Sequence, residues 1–311
     1  MSTETETQTD AEGTGRVEQR GFIERFLASP FLSDLLSNRL AVIGLFIITV
    51  VVITAIGSRI LLDIEQLQAT KLGSQPFLAP PSLEYPFGTD IQARNIFLRV
   101  LYGSWLALKY GTVIVAASTV LGVSLGIVAS YYGDITDNVI MRTMDVLLAF
   151  PSLLLALALV AIFGAGLWKA VLALTLVYTP RFARVVRGAA LKVLEDEYID
   201  ATEALGARDP RILAYHILPN TLAPVTVQST LNFGLALIDL AALSFLGFGA
   251  SPGTPSWGMM LQNGVKNGLL TGKWWWSFFP GLALALTVLG FNLLGDGMRD
   301  ALDPRMREAV E

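Results

Sequence analysis

The chain has 311 residues and a formal net charge of -4; it is 53% hydrophobic and only 15% charged, with a mean hydropathy of +0.56, where an average soluble protein carries roughly 25% charged residues. Such a chain is a membrane protein. One His and no Cys exclude disulfides, thiolate metal sites and Cys-His or His-cluster catalytic centres within this chain, and the few scattered Lys and Arg form no phosphate-binding face for nucleic acid.

Residues 1–20 are polar and acidic without apolar periodicity, and are expected to be disordered. They do not form a signal peptide, because the first apolar run begins near Leu40 and is long enough to span a bilayer. Six segments near 40–62, 108–131, 146–165, 168–189, 222–247 and 277–297 approach the roughly 20 apolar residues that a spanning helix needs. The third and fourth, joined by Gly164-Ala165-Gly166, read as an antiparallel hairpin, with Pro151 and Pro180 as tolerated kinks. The expected fold is all-α, a polytopic membrane protein of six transmembrane helices.

Six spans place both termini on one side. With the N-terminus inside, 14 of the 22 Lys and Arg residues are cytoplasmic and 8 external, so both termini are expected in the cytoplasm of a multi-pass protein of the cell membrane. The expected organisation is an N-terminal tail (1–36), a first span with its external loop (37–107), a core (108–298) and a C-terminal tail (299–311). Asp63 to Trp105 and Ala250 to Lys273 read as external loops. Trp274, Trp275, Trp276, Phe278 and Phe279 read as an interfacial aromatic belt, with substrate stacking as the alternative.

Inside the spans, Asp239 is the one deep carboxylate of the fifth segment, with Asn232 preceding it and Asn292 in the sixth. An intramembrane charge faces a cavity or a partner; the alternative is a protonated or hydrogen-bonded Asp239 within helix packing. Asn232 and Asp239 are therefore candidate cavity residues. Arg142 and Asp145 are spaced to pair on one helix face.

The polar segment 193–220, between the fourth and fifth spans, is the most informative. Leu194, Tyr198, Ala201 and Leu205 fall on one face of a short helix, with Glu195, Asp196, Glu197, Asp200 and Glu203 around the rest. Gly206 interrupts it, Asp209-Pro210 starts a second helix reaching about Ile217, and Leu218-Pro219 stops that helix. Lipid-surface helices are usually basic, so this acidic element calls for a protein partner. No phosphate-cradling loop is present, since the only Gly-Lys pair, Gly272-Lys273, is followed by Trp274. Any ATP must be bound by another subunit, and no cofactor is expected on this chain.

Asp200-Ala201-Thr202, Gly206 and His216-Ile217-Leu218-Pro219 resemble the EAA loop of permease subunits of binding-protein-dependent ABC importers. YPFGTD at 85–90, IMRTMDVLLAFPSLLLALALV at 140–160, LSFLGFG at 243–249, PSWGMML at 255–261 and FNLLGDGMRDALDPR at 291–305 extend the resemblance to the dipeptide, oligopeptide and nickel permeases. The second permease subunit, with its extra N-terminal span, is the nearest pattern. The resemblance implies a type I importer core, a second homologous permease subunit in a heterodimer, two cytoplasmic ATP-binding subunits, an extracytoplasmic substrate-binding protein, and no covalent chemistry by this chain. It also implies ATPase docking by Asp200, Ala201, Thr202 and Gly206, supported by Arg208, Arg211, Leu218 and Pro219. Relatives carry peptides, oligosaccharides or chelated nickel. From another class, an ion-gradient-driven transporter or channel is the alternative. The chain departs from the family pattern with Asp200 for Glu and Thr202 for Ala, with Ala93-Arg94-Asn95 for Gly-Arg-Asp, and with Trp105 for Arg.

Overall fold

A computed structural model describes residues 30–302; the expected disorder of residues 1–20 lies outside these residues. All regular elements among the described residues are helical, with two isolated β-bridges, Leu72 with Gln75 and Thr89 with Asn95. In chain order the helices are α1 (Pro30–Ser37), α2 (Arg39–Leu61), α3 (Ile64–Gln68), α4 (Ile96–Tyr132), α5 (Asp134–Leu148), α6 (Ser152–Phe163) and α7 (Leu167–Leu194). They continue with α8 (Glu197–Ala204), α9 (Asp209–Ile212), α10 (Leu218–Phe245), α11 (Trp257–Asn263) and α12 (Trp275–Leu302). The end of the expected N-terminal tail is thus helical, as α1.

Among the described residues four helices are long and apolar enough to cross a membrane: α2, α4, the continuous run Asp209–Phe245, and α12. The third predicted span is not one straight helix. Pro151 lacks an N–H and drives Phe150 out of helical geometry, so α5 ends at Leu148 and α6 leaves at 95°. The 12 residues of α6 reach about 18 Å, short of the roughly 30 Å of hydrocarbon; the bent pair supplies a fifth crossing only if both arms count. The fourth predicted span is α7, 28 residues long and continuous through Pro180. Lys169, Arg181, Arg184 and Arg187 make it more charged than an ordinary lipid-facing helix, and it is instead lined with buried residues.

The centre of the bundle is the pair α4 and α7. Gly122 and Gly126, one turn apart on α4, let the backbone of α7 approach: a Cβ at Gly122 would sit 2.7 Å from the Thr179 carbonyl oxygen, and one at Gly126 2.6 Å from that of Ala183. Small residues at such spacing permit close packing in a membrane. Around this contact Ile114, Ala173, Leu174, Tyr178, Phe182, Ala236 and Leu243 build the main apolar core. The obstructing atoms at Gly122 are Phe182 Cβ and the backbone of Thr179 and Ala183, none of which can swing away. Gly122→Ala is expected to cost about 1–3 kcal/mol by overpacking, read as a lowered unfolding midpoint in detergent; an unchanged midpoint would mean the two helices can separate freely.

Helix α2 lies at the edge, against α12, where Gly44 meets Gly290 and Leu294 and Gly297 meets Ala41. Asn38 fixes its start. The Asn38 side-chain oxygen accepts from the N–H of Leu40 and Ala41, and its amide donates to Asp300 of α12 at 3.1 Å.

Helix α4 begins at Ile96, inside the loop expected to run to Trp105, because the Asn95 side chain caps it by accepting from Phe97 and Leu98. The rest of that loop is a folded cap. Thr89 donates to the Pro76 carbonyl and accepts from Ala79 N–H; Asp90 holds the N–H groups of Gln92 and Arg94 and pairs with the Arg94 guanidinium at 2.7 Å. Arg99, 2% exposed, donates to the carbonyls of Leu67, Gly253 and Thr254, tying this loop and the one before α11 to α4. Ala93 stands at φ +56°, a conformation that favours the glycine of the family pattern.

The aromatic run departs from the belt reading. Trp275 and Trp276 are buried with Ile96, Val100 and Met260, and Phe279 stacks on Phe87 at 3.9 Å. Trp274 and Phe278 stay exposed. Helical spacing turns Trp275, Trp276 and Phe279 onto the cap, and these rings anchor it to α12.

Candidate functional site

Segment 193–220 folds as α8, a bend, α9 and one wide turn. Its anchoring residues are not the predicted stripe. Ile199 of α8, Ile212 of α9 and Ile217 are fully buried with Ile127 of α4 and Val186 and Ala190 of α7, whereas Tyr198 and Ala201 are exposed and Leu205 is 89% exposed. The β-branched Ile199 amid polar neighbours was the available signal for this anchor. Leu194 packs against this cluster, and the rest of the expected apolar stripe is presented outward.

Gly206 has φ +82°. The Gly206 N–H donates to Glu203 and the Ala207 N–H to Thr202, which together form a Schellman closure of α8. This is the bend expected at Gly206. A Cβ there would meet nothing within 4 Å, so the space around the bend is open within this chain.

The second helix does not end at Leu218-Pro219. Leu213–Ile217 form a single wide turn, the Leu218 N–H bonds to the Leu213 carbonyl, and the chain runs on into α10. A five-residue turn displaces the carbonyl that the Pro219 ring would strike in a regular helix. The coupling of the polar segment to α10 is thereby rigid where a stop was expected. Helix α9 starts at Asp209 with Pro210 in its first turn and no side-chain cap.

The remaining predicted residues lie around this frame. Asp200, Arg208, Arg211 and Pro219 are exposed; Thr202 and Leu218 are half-buried, with the Thr202 hydroxyl donating to the Tyr198 carbonyl. Glu195, Glu197, Asp200, Glu203, Arg208 and Arg211 are in none of the four ion pairs of the described residues. Tyr198 turns toward His216 at 5.9 Å between ring centroids and accepts from the Asn220 amide. The end of the bundle thus offers exposed apolar side chains among charges of both signs without internal partners.

Asp239 and Asn232 are placed differently from each other. Asn232 is fully buried, accepting from Gln228 at 3.0 Å while its own amide nitrogen has no partner among the described residues. Asp239 is half-buried and accepts from the Tyr178 hydroxyl at 2.8 Å. Asp145 pairs with Arg184 of α7 at 2.6 Å as well as with Arg142 at 3.9 Å, and Asp137 holds Arg187 at 2.5 Å, so these charges clamp α5 onto α7.

Residues 118–308 match the family model described as a binding-protein-dependent transport system inner membrane component. The dipeptide transport system permease protein DppC of Alkalihalophilus pseudofirmus is 44% identical over 274 residues, 88% of each chain. DppC of Escherichia coli K12 is 43% identical over 277 residues, covering 87% of this chain and 91% of that protein. Among solved structures, an inward-facing MetNI methionine ABC transporter aligns with a TM-score of 0.54 at 19% identity, over 67% of this chain and 98% of the matched one. The fold is accordingly that of a type I ABC importer permease core, and the chain belongs to the family of binding-protein-dependent transport system inner membrane components.

Proposed function

We propose that this chain is the peptide-carrying permease subunit of an ATP-driven importer, working beside a second, homologous permease, two ATP-binding subunits on the cytoplasmic side and an external substrate-binding protein. The observation that carries it is the segment 193–220, which leaves Leu205 89% and Tyr215 75% exposed among unpaired charges while three buried isoleucines fix its position. Exposed apolar groups on a rigid mount suit a partner groove. The dipeptide transport role of relatives 43–44% identical supports peptides as the cargo.

In this reading ATP hydrolysis belongs to the ATP-binding subunits. Their closure moves α8, and the unbroken run from Asp209 to Phe245 carries the displacement into the membrane. A ligand can shift such an equilibrium only through contacts that differ between its states, so docking at Asp200, Ala201, Thr202, Gly206, Arg208 and Arg211 must differ between the nucleotide states. Leu218 and Pro219, at the wide turn, transmit rather than dock. Both termini lie in the cytoplasm, residues 108–298 form the transport core, and α2 braces its edge.

The test is gentle purification from native membranes followed by reconstitution. A second permease and an ATP-binding subunit are expected to co-purify, and proteoliposomes supplied with the binding protein are expected to take up dipeptides only with ATP. Gradient-driven uptake by this chain alone would replace this reading with a secondary transporter.

A further inference from the structure

Among the charges inside the spans that belong to none of the ion pairs of the described residues, two meet at one tyrosine. Those pairs are Arg94 with Asp90, Arg142 and Arg184 with Asp145, and Arg187 with Asp137; Arg181 of α7 and Asp239 of α10 are absent from them. Tyr178 joins the two. It is 1% exposed, and its hydroxyl donates to Asp239 Oδ2 at 2.8 Å. Arg181, three residues on, folds back toward the start of α7, the direction in which helical side chains lean, and its guanidinium carbon lies 4.9 Å from the centre of the Tyr178 ring. One aromatic ring thus carries a carboxylate at its hydroxyl end and a guanidinium over its face.

Both charges are half-buried rather than sealed. Asp239 lies one helical turn along α10 from the exposed Leu235, so the carboxylate borders a face that this chain leaves uncovered. Arg181 lies near the middle of the 28-residue α7. Charges within a membrane bundle are costly against lipid and are found on aqueous pathways or against partners. A tyrosine hydroxyl and a ring face are neutral, so neither charge is neutralised. Their open valences have opposite sign and a fixed spacer between them.

We infer that Asp239, Tyr178 and Arg181 form a transit site for a zwitterionic peptide. Asp239 accepts from the peptide α-ammonium, Arg181 donates to its terminal carboxylate, and Tyr178 holds the two at a set separation. This rests on the importer reading above. Weak, paired contacts suit a pathway, where a bound group must also leave, and a molecule with only one charged end satisfies only half the site.

The experiment uses the purified complex of both permeases and both ATP-binding subunits, without the binding protein, so that its selectivity does not enter. Binding of Ala-Ala, N-acetyl-Ala-Ala and Ala-Ala amide is measured by saturation-transfer NMR. The parent is expected to prefer Ala-Ala to either blocked form by about tenfold or more, the size of one charge-assisted hydrogen bond. Asp239→Asn is expected to erase the preference over the N-acetyl form and keep that over the amide, Arg181→Gln the reverse, and Asp239→Glu to restore much of the first. Equal binding of all three peptides by the parent, no binding, or a uniform loss in each variant overturns the site. ATP-driven uptake separates the two ideas: if the parent importer takes up Ala-Ala yet shows no end preference in binding, only the site falls, and if it takes up no peptide, both fall.

Discussion

Ala201→Trp is expected to release the ATP-binding subunits and lower ATP-driven uptake by at least tenfold, with the permease's own unfolding midpoint unchanged. Ala201 is exposed on α8 and belongs to none of the apolar clusters. A surface substitution of this kind changes stability by about 0.5 kcal/mol or less. A bulky ring in a docked contact instead forces the two surfaces apart. Gly206→Val probes the adjoining bend with a different balance: the left-handed backbone resists a β-branched residue by about 1–2 kcal/mol, while the open space around it adds no clash. Ile199→Asp is the contrasting control. It inserts a charge into the isoleucine anchor, so it should lower the midpoint and uptake together. Retention of the ATP-binding subunits by Ala201→Trp at full stoichiometry would remove α8 from the docking surface.

The sequence made visible those features that depend on local pattern. Long apolar runs located α2, α4, α10 and α12 because a spanning helix must satisfy its backbone within itself, and Gly206 was readable because few residues but glycine accept its backbone angle. What escaped depends on neighbours distant in the chain. Tyr198 and Leu205 look like a core stripe by spacing, but the ends of α4 and α7 decide that Ile199 is the residue covered. Trp275 and Trp276 look like a belt until the cap of residues 62–95 is folded over them. Pro151 and Pro180 are the same residue type in similar runs, yet one ends a helix and the other does not. At Asp239 the carboxylate was legible; the Tyr178 hydroxyl 61 residues away that holds it was not.

The cap of residues 62–95 yields the other large effect, and its sign can be argued from who else holds each charge. Asp90 is 1% exposed and accepts from three donors: the N–H of Gln92, the N–H of Arg94 and the Arg94 guanidinium. Arg94 has that carboxylate and one long contact of 3.4 Å to the Gln68 carbonyl. Removing one partner of a buried pair costs about 3–5 kcal/mol because the other charge is left without compensation. Asp90→Ala strands a guanidinium and two backbone N–H groups, so it should be the most destabilising single change in the cap. Arg94→Leu leaves a carboxylate that still accepts two N–H bonds, and should cost less. In the double variant the stranded charge is gone but the two N–H groups stay unmet, each worth about 1–3 kcal/mol, so stability should recover only to between the parent and Asp90→Ala. Unfolding midpoints of the three variants in one detergent measure this order. If Arg94→Leu proved as damaging as Asp90→Ala, the backbone donors would not be compensating the carboxylate, and the cap would owe its shape to Arg99 and the packing of Trp275 and Trp276 instead.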